Sequence, residues 1–171
     1  MAKVARDFRI YVQGKTPVTL IDFKAGFEDT ARGALTSLNS AIVVVDPTTA
    51  SVDLAANMKH MVEQIKAGVL PATSHLENPD LIAWANKIFV EAPIDDVWFV
   101  LNRVQSEEEE RYLRQSLAEK RIEPIGVIHQ SPSISLSWLK GISLILDDVQ
   151  NQIRQLLEKL ENAEQLARER G

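Results

Sequence analysis

At 171 residues, 45% of them hydrophobic and 25% charged, the chain has the size and composition of one domain with a substantial core. A formal charge of -5 supplies no basic field for nucleic acid or an anionic membrane, and the absence of cysteine removes thiolate metal sites, disulfides and cysteine nucleophiles together. Residues 1–10 carry no apolar signal core and no apolar run reaches membrane-spanning length, so a cytoplasmic protein is expected.

Within residues 3–11, Val4, Phe8 and Tyr11 recur at helical spacing and predict a short amphipathic helix that ends at Gly14. Gly14-Lys15-Thr16 has the letters that close a phosphate-binding loop. The loop also needs a glycine where Arg9 stands, a strand before it and a helix after it. Pro17 follows instead, so the tripeptide is not read as a P-loop. Thr19-Leu20-Ile21 predicts a buried parallel strand that delivers Asp22 and, at Gly26, a flexible turn to the end of a sheet. Asp29–Asn39 predicts a helix with Ala31, Leu35 and Leu38 on one face. Ala41–Val45 is a second buried strand, closed by Asp46 and Pro47, and the two strands with the helix between them read as a βαβ unit.

Thr48 or Thr49 caps a helix from Ser51 to Lys66, with Leu54, Met58, Met61, Val62 and Ile65 on its apolar face. Met58 and Met61 lie on that stripe and His60 off it, so these residues are read as core packing and not as a soft-metal site. Asn78-Pro79-Asp80 starts another helix, running to Glu91 and burying Leu81, Trp84, Ala85 and Ile88. Val97–Leu101 is a third strand and ends in Asn102-Arg103. The acids after Ser106 read as a capping box, Ser106 with Glu109, opening a helix to Arg121. Pro124–Ile128 is a fourth strand. The serines at 131, 133, 135 and 137 have no Gly-x-Ser-x-Gly setting and do not make a hydrolase. Ile134, Trp138 and Leu139 predict a short packing helix stopped by Gly141. From Val149 through Ile153, Leu156, Leu160, Ala163 and Ala167 the chain carries a heptad seam, which either covers the sheet or joins two chains.

Asp22-x-x-Ala25-Gly26, then Arg32-Gly33, then Val43-Val44-Val45-Asp46-Pro47-Thr48 resemble the second half of the MinD/ParA-type deviant P-loop ATPases. The likeness is strongest to the nickel-insertion ATPases that mature carbon monoxide dehydrogenase, and it runs over most of residues 1–145. The resemblance implies an α/β fold: a small, mostly parallel sheet of about four strands with helices on both faces. It gives Asp22 the positioning of Mg²⁺ and the attacking water, Gly26 a backbone contact to the γ-phosphate, and Asn102 the reading of adenine. Asp46 and Arg103 join Gly26 and Asn102 as nucleotide-site residues. Where the family continues its last strand with a proline and an acid, this chain has His129, Gln130 and Ser131.

The family's phosphate-binding loop has no counterpart in these residues. The expected function is accordingly a P-loop ATPase-related domain, connected with metallocentre maturation, that does not hydrolyse ATP alone. ATP and Mg²⁺ enter only if a P-loop is supplied from elsewhere. The alternative is a non-catalytic interaction or assembly module. Residues 1–145 form its α/β domain and residues 146–171 a C-terminal helix suited to oligomerisation. The expected partner is a second copy or another protein, with neither nucleic acid nor membrane. In the family the P-loop strand is central, so its loss leaves three arrangements: the flanking strands close the gap, two chains dimerise across it, or a partner donates a strand.

Overall fold

In the structure, a computed structural model, the residues described are 13–14, 18–23, 35–70, 77–144, 146 and 149–168, with side chains in the last helix described as far as Ala163. The chain divides into two compact units, Met1–Ala41 with Asn57–Val97, and Ile42–Ala56 with Trp98–Gly171.

Three strands, β1 (Ser40–Val45), β2 (Asp96–Val104) and β3 (Gly126–His129), make one parallel sheet in the order β1-β2-β3. Parallel neighbours need crossovers. β1 reaches β2 through α1 (Thr49–Lys66) and α2 (Pro79–Val90), and β2 reaches β3 through α3 (Glu107–Glu119). Two further helices follow, α4 (Pro132–Lys140) and α5 (Gln150–Arg168). The small parallel α/β sheet expected from the sequence is therefore present, with three strands in place of about four.

The strand that is lost is the first. Residues 18–23 are irregular, and Val18 and Leu20 are 95% and 88% exposed, so Thr19–Asp22 is not a buried strand. A strand exists through its ladder, and a three-residue apolar run has no register of its own without a neighbour to hold it. The expected closure of the gap by this segment is overturned with it. The preceding Gly14 forms a turn at φ 74°, whereas Lys15 and Thr16 lie outside the described residues. So do Gly26, Arg32, Gly33, most of the helix expected from Asp29, and the helix expected at 3–11. β1 also differs from expectation. Its burial alternates, with Ala41, Val43 and Val45 inside and Ile42 and Val44 outside, so one face is covered and not two.

In the first unit, Leu35, Ala41, Met61, Val62, Ile65 and Ile94 form a buried cluster, with Met58 and Phe89 packed against it. His60 is exposed, as its place off the stripe requires. Lys66 Nζ donates to the Asp95 carbonyl at 2.6 Å, tying the end of α1 to the approach to β2. α2 begins as the sequence indicates: Asn78 Oδ1 accepts from Asp80 N at 2.8 Å and Pro79 takes the first helical position. It buries less than expected, since Leu81 and Trp84 are exposed and no residue of the helix is fully buried.

In the second unit, Val45, Val100, Leu101, Val104 and Leu117 are almost wholly buried. Each such aliphatic side chain contributes about 1.5–3 kcal/mol. α3 is capped by Ser106 Oγ, which accepts from Glu109 N at 3.2 Å, while Glu109 Oε2 accepts from Gln105 N at 2.6 Å. The reciprocal bond of the expected box thus falls one residue earlier than usual. At the other end, Ile122 N donates to Leu117 O and Arg121 N to Ala118 O, a Schellman closure with Arg121 at φ 59°. α5 packs on β3: Leu156 Cδ1 lies 3.0 Å from where a Cβ on Gly126 would stand. The first turns of the heptad seam therefore cover the sheet.

Candidate functional site

In an open parallel sheet, ligands are taken at the carboxyl ends of the strands, where loops and helix starts converge. β1 ends at Val45, and the next residues form a tight turn in which Thr48 N donates to Asp46 O at 2.7 Å. Thr48 then caps α1, its Oγ1 accepting from Ser51 N at 3.1 Å. This turn holds Asp46 half-buried beside the end of β2.

There Asn102 Nδ2 donates to Asp46 Oδ1 at 2.9 Å, a partly buried bond between residues 56 apart in sequence. A carboxylate can only accept, so the amide nitrogen must face Asp46 and the Asn102 carbonyl must face away. Neither the Asn102 carbonyl nor the second Asp46 oxygen accepts a hydrogen bond from the described residues. The pair presents two acceptors to anything that docks at the strand ends, as suits a ligand carrying N–H groups.

Arg103 follows immediately and has an unusual backbone. Asn102 pairs with Ile128 and Val104 with His129, so Arg103 is the extra residue of a β-bulge. Its φ is 58°, a left-handed conformation uncommon for a side chain of this size. The guanidinium is exposed and engages none of the described groups. A bulge re-aims side chains at a strand end, and here it places a cation next to the Asp46–Asn102 pair in sequence.

Of the five residues singled out in the sequence, the structure brings Asp46 and Asn102 into contact and sets Arg103 beside Asn102. Asp22 lies in the other compact unit, exposed on the irregular 18–23 segment. Gly26 lies outside the described residues. No group of three His, Cys, Asp or Glu suited to a metal occurs among the described residues. Among the described residues, Asp46 and Asn102 bond through their side chains to each other.

The departures at 129–131 are each accounted for locally. His129 N donates to Gln152 Oε1 at 2.8 Å, and its ring Nδ1 lies 3.3 Å from the same oxygen. Its Nε2 stands 3.5 Å from Glu110 Oε2, and Glu110 Oε1 accepts from Arg114 Nε at 2.7 Å. This Arg114–Glu110–His129–Gln152 chain links α3, β3 and α5. Glu110 and Arg114 are an i,i+4 pair on α3, but His129 and Gln152 lie far from them in sequence, and no local spacing signals the link. Gln130 N continues the strand contact to Val104 O, and Ser131 Oγ caps α4 by accepting from Ile134 N.

No protein-family model and no curated protein matches the chain. Solved structures do. The MinD cell division protein of Aquifex aeolicus aligns over 79% of this chain and 49% of that one, with 16% identity and a TM-score of 0.50. The MinC:MinD cell division protein complex of the same organism aligns over 81% of this chain and 48% of that one, with 17% identity and a TM-score of 0.53. The chain thus spans about half the length of the MinD structures it matches. At such identity the likeness is one of fold alone, and that fold is MinD-like.

Proposed function

We propose that this chain is a MinD-like nucleotide-site domain that binds and does not by itself hydrolyse ATP. The observation carrying the proposal is the Asn102–Asp46 hydrogen bond at the ends of β1 and β2, with Arg103 strained beside it. Asn102 offers its carbonyl to the exocyclic amine of an adenine. Asp46 fixes the amide in that orientation, and Arg103 supplies a cation for a phosphate. Turnover would require more: a nest of backbone N–H groups and a lysine for the β- and γ-phosphates, together with Asp22 for Mg²⁺ and water. The sequence carries no phosphate-binding loop motif for the first two, so in this reading catalysis would depend on a loop supplied from elsewhere. The finer kinship with nickel-insertion ATPases rests on the Asp22–Gly26 and Val43–Thr48 residues, and it makes metallocentre maturation the setting in which to look for a target.

Titration with ATP and Mg²⁺ in a calorimeter tests the proposal. Weak heats and no phosphate release are expected from the chain alone. ADP at millimolar concentration should shift the Asn102 side-chain amide resonance in an NMR spectrum. Sub-micromolar ATP affinity that is abolished by Asp22→Ala would overturn the non-hydrolysing reading. An Asn102 resonance indifferent to ADP would remove the adenine site.

A second reading, a non-catalytic assembly module, is supported by the apolar surface that α4 leaves uncovered. One of the matching structures is itself a complex of MinD with another protein, MinC. The two readings are compatible, because a nucleotide-site domain that lacks turnover can still hold a partner.

A further inference from the structure

A second concave site lies where the chain enters β3, at the opposite end of the sheet from the Asp46–Asn102 pair. Arg114, Ala118 and Arg121, at helical spacing along α3 and its closing turn, line an open cavity of about 490 Å³ together with Ile122, Glu123 and Pro124. That volume falls within the roughly 300–1,000 Å³ of small-molecule sites. Ile122 is 3% exposed and Pro124 is buried, so the cavity has an apolar floor set into the protein. Arg114 gives it a fixed cation. Its Nε donates to Glu110 Oε1 at 2.7 Å, which holds the guanidinium in place, and the side chain remains 40% exposed. The two terminal nitrogens of Arg114 bond to no group among the described residues. An arginine steadied through Nε keeps the far edge of its fork, two parallel N–H groups, for a second acceptor.

We infer that this cavity binds a small organic carboxylate with an apolar body, an aliphatic or aromatic monocarboxylic acid. Three features select that ligand class. The open edge of the Arg114 fork matches the planar, two-oxygen geometry of a carboxylate. Two arginines against one glutamate leave the lining with a single net positive charge, which suits a monoanion. Ile122 and Pro124 offer an apolar surface, which a hydrocarbon body gains by covering and an inorganic anion does not. A dianion such as phosphate also meets the carboxylate of Glu123. The cavity shares no residue with the Asp46–Asn102 site, so the inference goes beyond the nucleotide reading and stands without it.

Titration of the isotope-labelled full chain with benzoate, followed by NMR, tests it. The backbone amides of Ile122 and Glu123 and the Arg114 Nε–H should shift together and saturate with a Kd of about 1 mM. Benzamide has the same shape without the charge, and phosphate has charge without the apolar body. Each should bind at least about tenfold more weakly. Arg114→Lys keeps the charge and loses the fork, and should raise the Kd for benzoate about tenfold. Ala118→Trp, at an exposed helix position, should fill the cavity and abolish the shifts while leaving the melting curve unchanged. No saturable shift at about 20 mM benzoate overturns the inference, at a concentration roughly twentyfold above the expected Kd. So does equal binding of benzamide or phosphate, or benzoate binding undiminished in either variant.

Discussion

Arg103 and Arg121 are the two non-glycine residues with positive φ among those described, and they hold that conformation for different reasons. Arg121 occupies the left-handed position of a Schellman closure, with Ile122 and Leu117 buried on either side of the turn. Helix-ending geometry alone requires it, and glycine would meet the requirement with less strain. Arg121→Gly should therefore stabilise the fold by up to about 1 kcal/mol, visible as a higher urea midpoint with unchanged slope. No helix end explains Arg103, which sits inside β2 at the bulge beside Asn102. We propose that this strain, held at a bulge and not at a helix cap, is kept for binding. Arg103→Gly should give a similar gain in stability while weakening whatever response Asn102 shows to ADP. A variant that gains stability and keeps the full response would leave Arg103 a structural bulge residue.

At the scale of elements, what could be read from the sequence was what local chemistry decides. α2 announces itself through Asn78-Pro79, α3 through Ser106 and Glu109, and the cores of β1 and β2 through β-branched runs. What could not be read depends on who stands opposite. Thr19–Ile21 has strand-like residues but no ladder among the described ones. Ile42 and Val44 belong to a run that reads as buried on both faces and is covered on one. The same holds for the site: Asp46 and Asn102 mark themselves as strand-end polar residues, yet their bond is a fact of the sheet. The α5 seam shows how a periodic pattern leaves its partner undetermined. Leu156 meets Gly126 on β3, and both Leu156 and Leu160 are half-buried. Replacing both by Lys should thus destabilise the fold, by about 2–4 kcal/mol for two half-buried leucines, and lower the melting temperature. If the double variant melts like the wild type, the seam does not cover the sheet in solution and its place in a contact between chains must be restored.

For the whole molecule, the decisive feature is the edge of the sheet that the described strands form. β1 stands at one end of the strand order, a continuous aliphatic segment whose outer face leaves Ile42 and Val44 about half exposed. Parallel strands are ordinarily covered on both faces, because each crossover lays a helix against the sheet. An aliphatic edge strand with one bare face is also a template for further pairing, which proteins usually blunt with charge or proline. β1 has neither within Ser40–Val45, and the chain matches about half the length of the MinD structures. We propose that a strand and a helix from outside the described residues complete this sheet. Val45 and Val44 are adjacent, but their environments predict opposite behaviour in the isolated chain. Val45→Ala removes fully buried methyls and should cost about 2 kcal/mol. Val44→Lys, made on the bare face, should change stability by no more than about 0.5 kcal/mol and should improve solubility. Denaturant unfolding of both variants, with light scattering for aggregation, measures the contrast. A Val44→Lys variant as damaged as Val45→Ala would mean that the outer face of β1 is already covered within the chain, leaving the completing element nothing to add.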